Sequence, residues 1–244
     1  MMKLNETLQG LFERKSVRVF EEKAVSAEDK QLILRACVEA PSAGNQQLYT
    51  ILDITDTKLK AALADACDHQ PFIASAPFVL VFVADCLKYQ DAYEVAGAEP
   101  RLPGKGDLML AVTDTCIAAQ NAVTAAHSLG LGSCYIGDIM ENREIMRVLL
   151  HLPKYTFPCA MLVFGYPTQQ QLDRPKPERF SVSDILCENS YVRKTEPELR
   201  KMFDKRCSGD FDGWMHAFCK RKYNSDFSRE MTRSVSGYLE DFST

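Results

Sequence analysis

Leu4, Leu8, Leu11 and Phe12 recur at helical spacing, and the pattern predicts a first helix that stops near Lys15. Ser26 with Asp29 three residues later reads as an N-cap. Leu32, Ile33, Ala36, Cys37 and Ala40 then make one face of a second helix, ended by Pro41. Residues 48–55, "LYTILDIT", read as a strand, and a third helix is expected over 57–68. "PFVLVFVA" is β-branched and aromatic without alternation, as expected of a strand buried on both faces. A long apolar helix follows over 107–129, closed by Gly130 as a left-handed cap. "GLGSCYIGDI" reads as a helix stop plus a turn, a short helix covers 141–150, and residues 156–167 form another central strand. After Pro177 the chain turns polar and basic, with amphipathic helices expected over 196–207, 214–222 and 227–241. The sum is an α+β fold, a small sheet between helices.

The length, 244 residues, with no Pro/Gly/Ser linker and no repeat, favours one compact domain with decorations. At 46% hydrophobic residues the chain can build a sizeable core. The net charge of -4 gives no overall footprint for nucleic acid or membrane. The longest apolar run, "APFVLVFVA", is too short to span a bilayer, and the N-terminus has no apolar leader segment. Nine cysteines lie scattered without a CxxC pair, which suits free thiols in a reducing cytoplasm.

Several stretches carry chemistry. "RKSVRVF" brings Arg14, Lys15 and Arg18 around Ser16, a set able to meet a phosphate through charge-assisted bonds; a solvated basic stretch is the plainer account. "PSAGNQQ" sets small residues and an amide in a tight turn before a strand, where backbone can approach a planar ring and Asn45 can read its polar edge. The glycines around "GSCYIG" offer backbone N–H groups but make no dinucleotide fingerprint. Arg174, Lys176 and Arg179 sit on a Pro-stiffened loop. His69, His127, His151 and His216 have no ligand spacing, Cys207, His216 and Cys219 match no zinc module, and no metal site is expected. GxSxG, HExxH and P-loop motifs are absent.

Taken in order, "ERKSVRVF", "APSAGNQQ", "HQPFIASAP", "DTCIAAQNAVTAAHSLGLGSCYIG" and "FGYP" with "RPKPERF" resemble the nitroreductase family of FMN-dependent oxidoreductases, over roughly residues 4–180. The resemblance implies a mixed central sheet flanked by helices, in an intertwined homodimer that binds two FMN at the subunit interface. By motif position, Arg14, Lys15, Ser16 and Arg18 correspond to the first flavin-contacting cluster, with Arg18 near the pyrimidine end of the ring. Pro41, Ser42, Ala43 and Asn45 correspond to a loop supplied by the partner subunit, and Gln70 to a glutamine bonding ribityl or ring. Tyr135, Ile136 and Gly137 correspond to the segment along the isoalloxazine, and Arg174 and Lys176 to a second phosphate clamp. The implied activity passes hydride from NADH or NADPH through flavin N5 to nitroaromatics or quinones by ping-pong turnover, with no protein nucleophile and no obligatory general acid. Reductive dehalogenation, flavin breakdown and non-catalytic FMN binding are the other readings open to this fold. No cysteine-rich ferredoxin segment is present. The expected organisation is a flavin domain over 1–180 and a helical extension over 181–244, which carries Trp214 and serves as a dimer arm or active-site cover.

Overall fold

The computed structural model describes residues 4–243. Helix α1 (Glu6–Glu13) is capped by Asn5, whose side chain accepts from the Leu8 amide. Helix α2 (Ala27–Val38) starts at Ser26, which accepts from Asp29 N as its spacing predicts. Ile33, Cys37 and Ala40 are buried, but Leu32 turns outward and Ala36 is only half-buried, so the inward stripe is narrower than expected. Strand β1 (Tyr49–Asp53), helix α3 (Thr57–Ala66), the short helix α4 (Pro71–Ser75) and strand β2 (Phe78–Asp85) follow. Helix α5 (Leu87–Val95) is not expected from the sequence; it buries no residue and shows little apolar stripe. Helix α6 (Lys105–Ser128) is the long one, and Gly130 beyond it has the expected positive φ of 77°.

The "GSCYI" segment corrects the sequence reading. It is a strand, β3 (Gly132–Ile136), where a helix stop and a turn are expected. Helix α7 (Arg143–Leu149), strand β4 (Thr156–Gly165) and the short α8 (Gln169–Asp173) complete this part of the chain. The sheet order is β1-β2-β4-β3, and every strand pair is antiparallel. Its mixed character comes from the segment before α2, where Ser16 forms a parallel bridge to Ser133 of β3. The β2–β4 register shifts between Phe82 and Val83, beside Pro158, which has no N–H for the ladder.

Successive β2 residues face opposite ways. Val79, Val81 and Val83 enter a core cluster with α3, α4 and α7, whereas Phe78, Leu80 and Phe82 enter another with α2 and α6. The α6 side is lined by Ala118, Ala119, Ala122 and Ala126, all fully buried, and such small residues let a helix lie close on the sheet. A third cluster joins Leu48, Phe157 and Leu108 to Tyr238 and Phe242.

The chain divides into two units. The first runs to Lys176 and resumes at Arg233; the second is Pro177–Thr232. The second holds α9 (Val182–Ile185), α10 (Glu196–Cys207), α11 (Phe211–Lys222) and the start of α12 (Asp226–Glu240). Its centre is a ring cluster: Phe203 contacts Phe180, Phe211 and Trp214, and Trp214 stacks on Phe218 at 4.7 Å. The rest of α12 belongs to the first unit, where Ser234 and Tyr238 are buried and Asp241 pairs with Arg143 and Arg147. Among the described residues, no helix is long and apolar enough to cross a membrane.

Candidate functional site

The segment 14–18 is held against β3. Val17 N donates to Ser133 O at 2.9 Å, and Val17 fills the space over Gly132, where a Cβ would come within 2.6 Å of it. A glycine is required at 132 by this approach rather than by its φ. Arg18 N donates to Oε1 of Gln171, a nearly buried side chain of α8, at 3.2 Å. The segment is thereby fixed on both flanks, and its four polar side chains leave from a rigid backbone.

Two of the predicted stretches meet here. Lys15 Nζ donates to the carbonyls of Leu172, at 2.6 Å, and Arg174, and Arg174 Nη2 donates to Ser16 O. Lys176 Nζ reaches back to Phe12 O at 2.6 Å, binding the end of α1. Among the described residues, none of Arg14, Lys15, Arg18 and Arg174 pairs with a carboxylate. The Nε atoms of Arg14 and Arg174 are buried without a hydrogen-bond partner. A buried charged donor left unsatisfied costs about 1–3 kcal/mol or more, so both arginines are poised for an acceptor such as a phosphate oxygen. They line one cleft of about 560 Å³, with Lys15, Ser133 and Lys176 also on its wall.

The other predicted residues border this cluster unequally. Cys134 on β3 is buried beside Ser16 and Arg18; burial pushes its thiol up against the pull of Arg18, Ser16 and Arg14. Tyr135 next to it is partly exposed, with Oη 3.4 Å from Gln120 Oε1; burial of the phenol and the nearby Cys116 raise its pKa, and Arg14 opposes them. Ile136 is buried, and Gly137 begins the turn that follows. Gln70 caps no amide with its side chain, which donates to Cys67 O at 2.8 Å. The Arg18 guanidinium lies 5.9 Å from the centre of the Phe72 ring, so α4, entered at Gln70, borders the same group.

The loop carrying Pro41, Ser42, Ala43 and Asn45 is elsewhere. It leads into β1, three strand spacings from β3 across the sheet, about 14 Å. Gly44, Asn45 and Gln47 all take positive φ, of 57°, 56° and 52°. Asn and Gln in this region cost about 1–2 kcal/mol each unless the surroundings hold them. Lys88 Nζ holds the Gln47 carbonyl at 3.1 Å, and the Ala43 and Leu48 amides on either side are held by Asp114 of α6, which the sequence reading passes over. Gln171 is passed over as well. The available signal for Asp114 is a lone carboxylate on the buried stripe of α6, three residues after Ala111 and four before Ala118.

The sequence model of the nitroreductase family matches residues 11–166, well over half of the chain. The chain belongs to the nitroreductase family. It is 28% identical to the FMN reductase [NAD(P)H] of Bacillus subtilis, over 97% of this chain and 92% of that protein. It is 33% identical to the oxygen-insensitive NADPH nitroreductase of Salmonella typhimurium, over 81% of this chain and 80% of that one. Among solved structures, NfrA2 of B. megaterium superposes with a TM-score of 0.82 at 28% identity, covering 98% of both chains. The helix-wrapped sheet expected from the resemblance is thus that of the family, and the motifs over 14–18, 132–137 and 172–176 fall on one side of it.

Proposed function

We propose that this nitroreductase-family protein is an FMN-dependent oxidoreductase that uses NADH or NADPH to reduce nitroaromatics or quinones by ping-pong turnover. The observation that carries the reading is the pair of buried, partnerless Nε atoms of Arg14 and Arg174 on the wall of one cationic cleft. A doubly charged phosphate monoester is the group such donors fit. Bound FMN supplies a two-electron carrier that accepts hydride and passes it on.

The chain's own part is to bind, orient and tune. Arg14 and Arg174 meet the phosphate, with Lys15 and Lys176 keeping the loop ends in register and adding charge. Ser16 offers a hydroxyl to the ribityl chain, and Gln70 an amide. Arg18 sets positive charge toward the pyrimidine end of the ring, which favours an anionic reduced state. Tyr135, Ile136 and Gly137 line the ring, with backbone donors at the strand end. Neither a side-chain nucleophile nor an obligatory general acid is needed.

The site is completed by a second copy of the chain, whose Pro41, Ser42, Ala43 and Asn45 close it. Supporting this, the 41–45 loop is a sheet's width from the cluster in its own chain, and α1 presents Leu8, Leu11 and Phe12 to solvent. Val182, Ile185, Leu186, Tyr191 and Val192 of the extension are also exposed, as suits an arm laid on a partner.

The test is a visible absorption spectrum of the purified protein under anaerobic conditions, before and after NADH and then NADPH. The expected result is about one FMN per chain, bleached by one of the nucleotides and restored by a quinone. A colourless protein that takes up no added FMN overturns the cofactor assignment. Flavin bands that survive both nucleotides overturn the reductase assignment.

A further inference from the structure

We propose that Asp114 is a positioning residue for flavin binding: its carboxylate holds the 41–48 loop in the strained form that presents Ala43 and Asn45. The inference rests on the flavin reading above. Asp114 is 2% exposed, on the face of α6 that packs into the core. Its charge meets no cation among the described residues. Both oxygens go to the loop instead. Oδ1 accepts from Ala43 N at 2.9 Å and Oδ2 from Leu48 N at 3.4 Å.

These two amides bracket the three left-handed residues Gly44, Asn45 and Gln47. Inside the bracket, Gln46 N donates to Ala43 O at 3.1 Å and Gln47 N to Ser42 Oγ at 3.1 Å. Gln47 is held further by Lys88 Nζ, which donates to its carbonyl at 3.1 Å, and by its own side-chain amide, which donates to Val38 O at 3.1 Å. None of these bonds reaches the Ala43 and Leu48 amides that Asp114 holds. A helix-to-strand turn needs no such anchor, and a buried carboxylate without a cation is expensive to keep. The arrangement is accounted for if the loop must hold one shape before anything binds to it. Preorganisation of that kind lowers the ordering cost of binding and therefore shows in ligand affinity, not only in stability.

The prediction separates Asp114 from an ordinary core residue. Three variants are compared with the wild-type full chain: Asp114→Ala, Asp114→Asn and Thr115→Ala. Thr115 is equally buried, on the same helix, and its hydroxyl donates within the helix to Ala111 O. The FMN Kd is read by quenching of flavin fluorescence, loop order by amide hydrogen exchange over 42–48 in the flavin-free protein, and stability by Tm. Asp114→Ala is expected to raise the FMN Kd about tenfold or more and to speed exchange of the Ala43 and Leu48 amides by a similar factor. Asp114→Asn, which keeps one acceptor oxygen, falls between it and wild type. Thr115→Ala lowers Tm and leaves the FMN Kd within about twofold.

The proposal is overturned if Asp114→Ala binds FMN like wild type, or if Thr115→Ala weakens FMN as much as Asp114→Ala does. Should Asp114→Ala not fold, Asp114→Asn decides: unchanged Kd and unchanged exchange overturn the proposal, and a raised Kd with faster exchange supports it. Wild-type protein that binds no FMN is a different failure, since it removes the flavin reading itself.

Discussion

Arg14 and Lys15 are neighbours in sequence and differ in what they are free to do. Lys15 spends its ammonium on two backbone carbonyls, whereas Arg14 keeps a buried Nε with no partner. Arg14→Ala or Arg174→Ala should therefore weaken FMN roughly ten- to a hundredfold, the range of a charge-assisted bond, in a titration followed by flavin fluorescence. The cysteines make a second prediction. Burial pushes the thiols of Cys37, Cys67, Cys86 and Cys159 up to about 12, which leaves on the order of one thiolate in ten thousand at pH 8. Only Cys116, Cys187 and Cys219 are exposed. A thiol reagent should modify no more than those three quickly in the native protein and all nine cysteines after denaturation. At this scale the sequence is legible where polar or glycine-bearing stretches interrupt apolar runs, as at 14–18 and 41–47. Asp114 and Gln171 escape it because their partners are backbone amides brought up from distant segments.

At the scale of elements, β3 shows why local pattern is insufficient. Its five residues include a glycine, a serine and a cysteine, so neither alternation nor β-branching marks it. It is a strand because β4 offers an edge and segment 14–18 packs beside it. β2 and β4, by contrast, are written plainly as apolar runs. Gly132→Ala should force Val17 out of place and cost about 1–3 kcal/mol, read as a fall in Tm, with Val17→Ala in the same chain restoring much of the loss. The link between α7 and α12 predicts a pH effect. Arg233, with Arg143 beside it, holds the Glu144 carboxyl down at about 2, through bonds of 2.8 and 3.1 Å from Arg233. A depressed carboxylate contributes stability that is complete above its ordinary pKa near 4.5 and is lost as pH falls toward 2. Both side chains are more than half exposed, so the contribution is at most about 1 kcal/mol. Glu144→Gln should flatten the stability profile within that window, lowering stability near neutrality by up to about 1 kcal/mol and matching the wild type near pH 2.

For the whole molecule, the order of the motifs makes the family legible, but not the path of the chain after Lys176. An amphipathic helix such as α12 carries no mark of what it will cover, and here its last turns bury Tyr238 against Phe157 while Phe242 packs edge-on against Tyr155. The unit Pro177–Thr232 is thinly cored, with Cys207 its single buried residue among those described. It also contains the only tryptophan. Urea unfolding followed by tryptophan fluorescence should therefore come at lower denaturant than the main loss of far-UV circular dichroism; coincident curves would mean that the two units unfold as one.

The return of the chain at Arg233 also orders events in time. A ribosome delivers β4 on the order of ten seconds before Tyr238 and Phe242 at cellular synthesis rates. Until then Leu48, Phe157 and Leu108 lack the rings that cover them. A nascent chain stalled inside the Pro177–Thr232 segment would carry an open hydrophobic seam on an otherwise formed sheet, a natural docking place for a chaperone. Such stalled chains should be cut by protease near 155–157, and chains extended through Phe242 should resist.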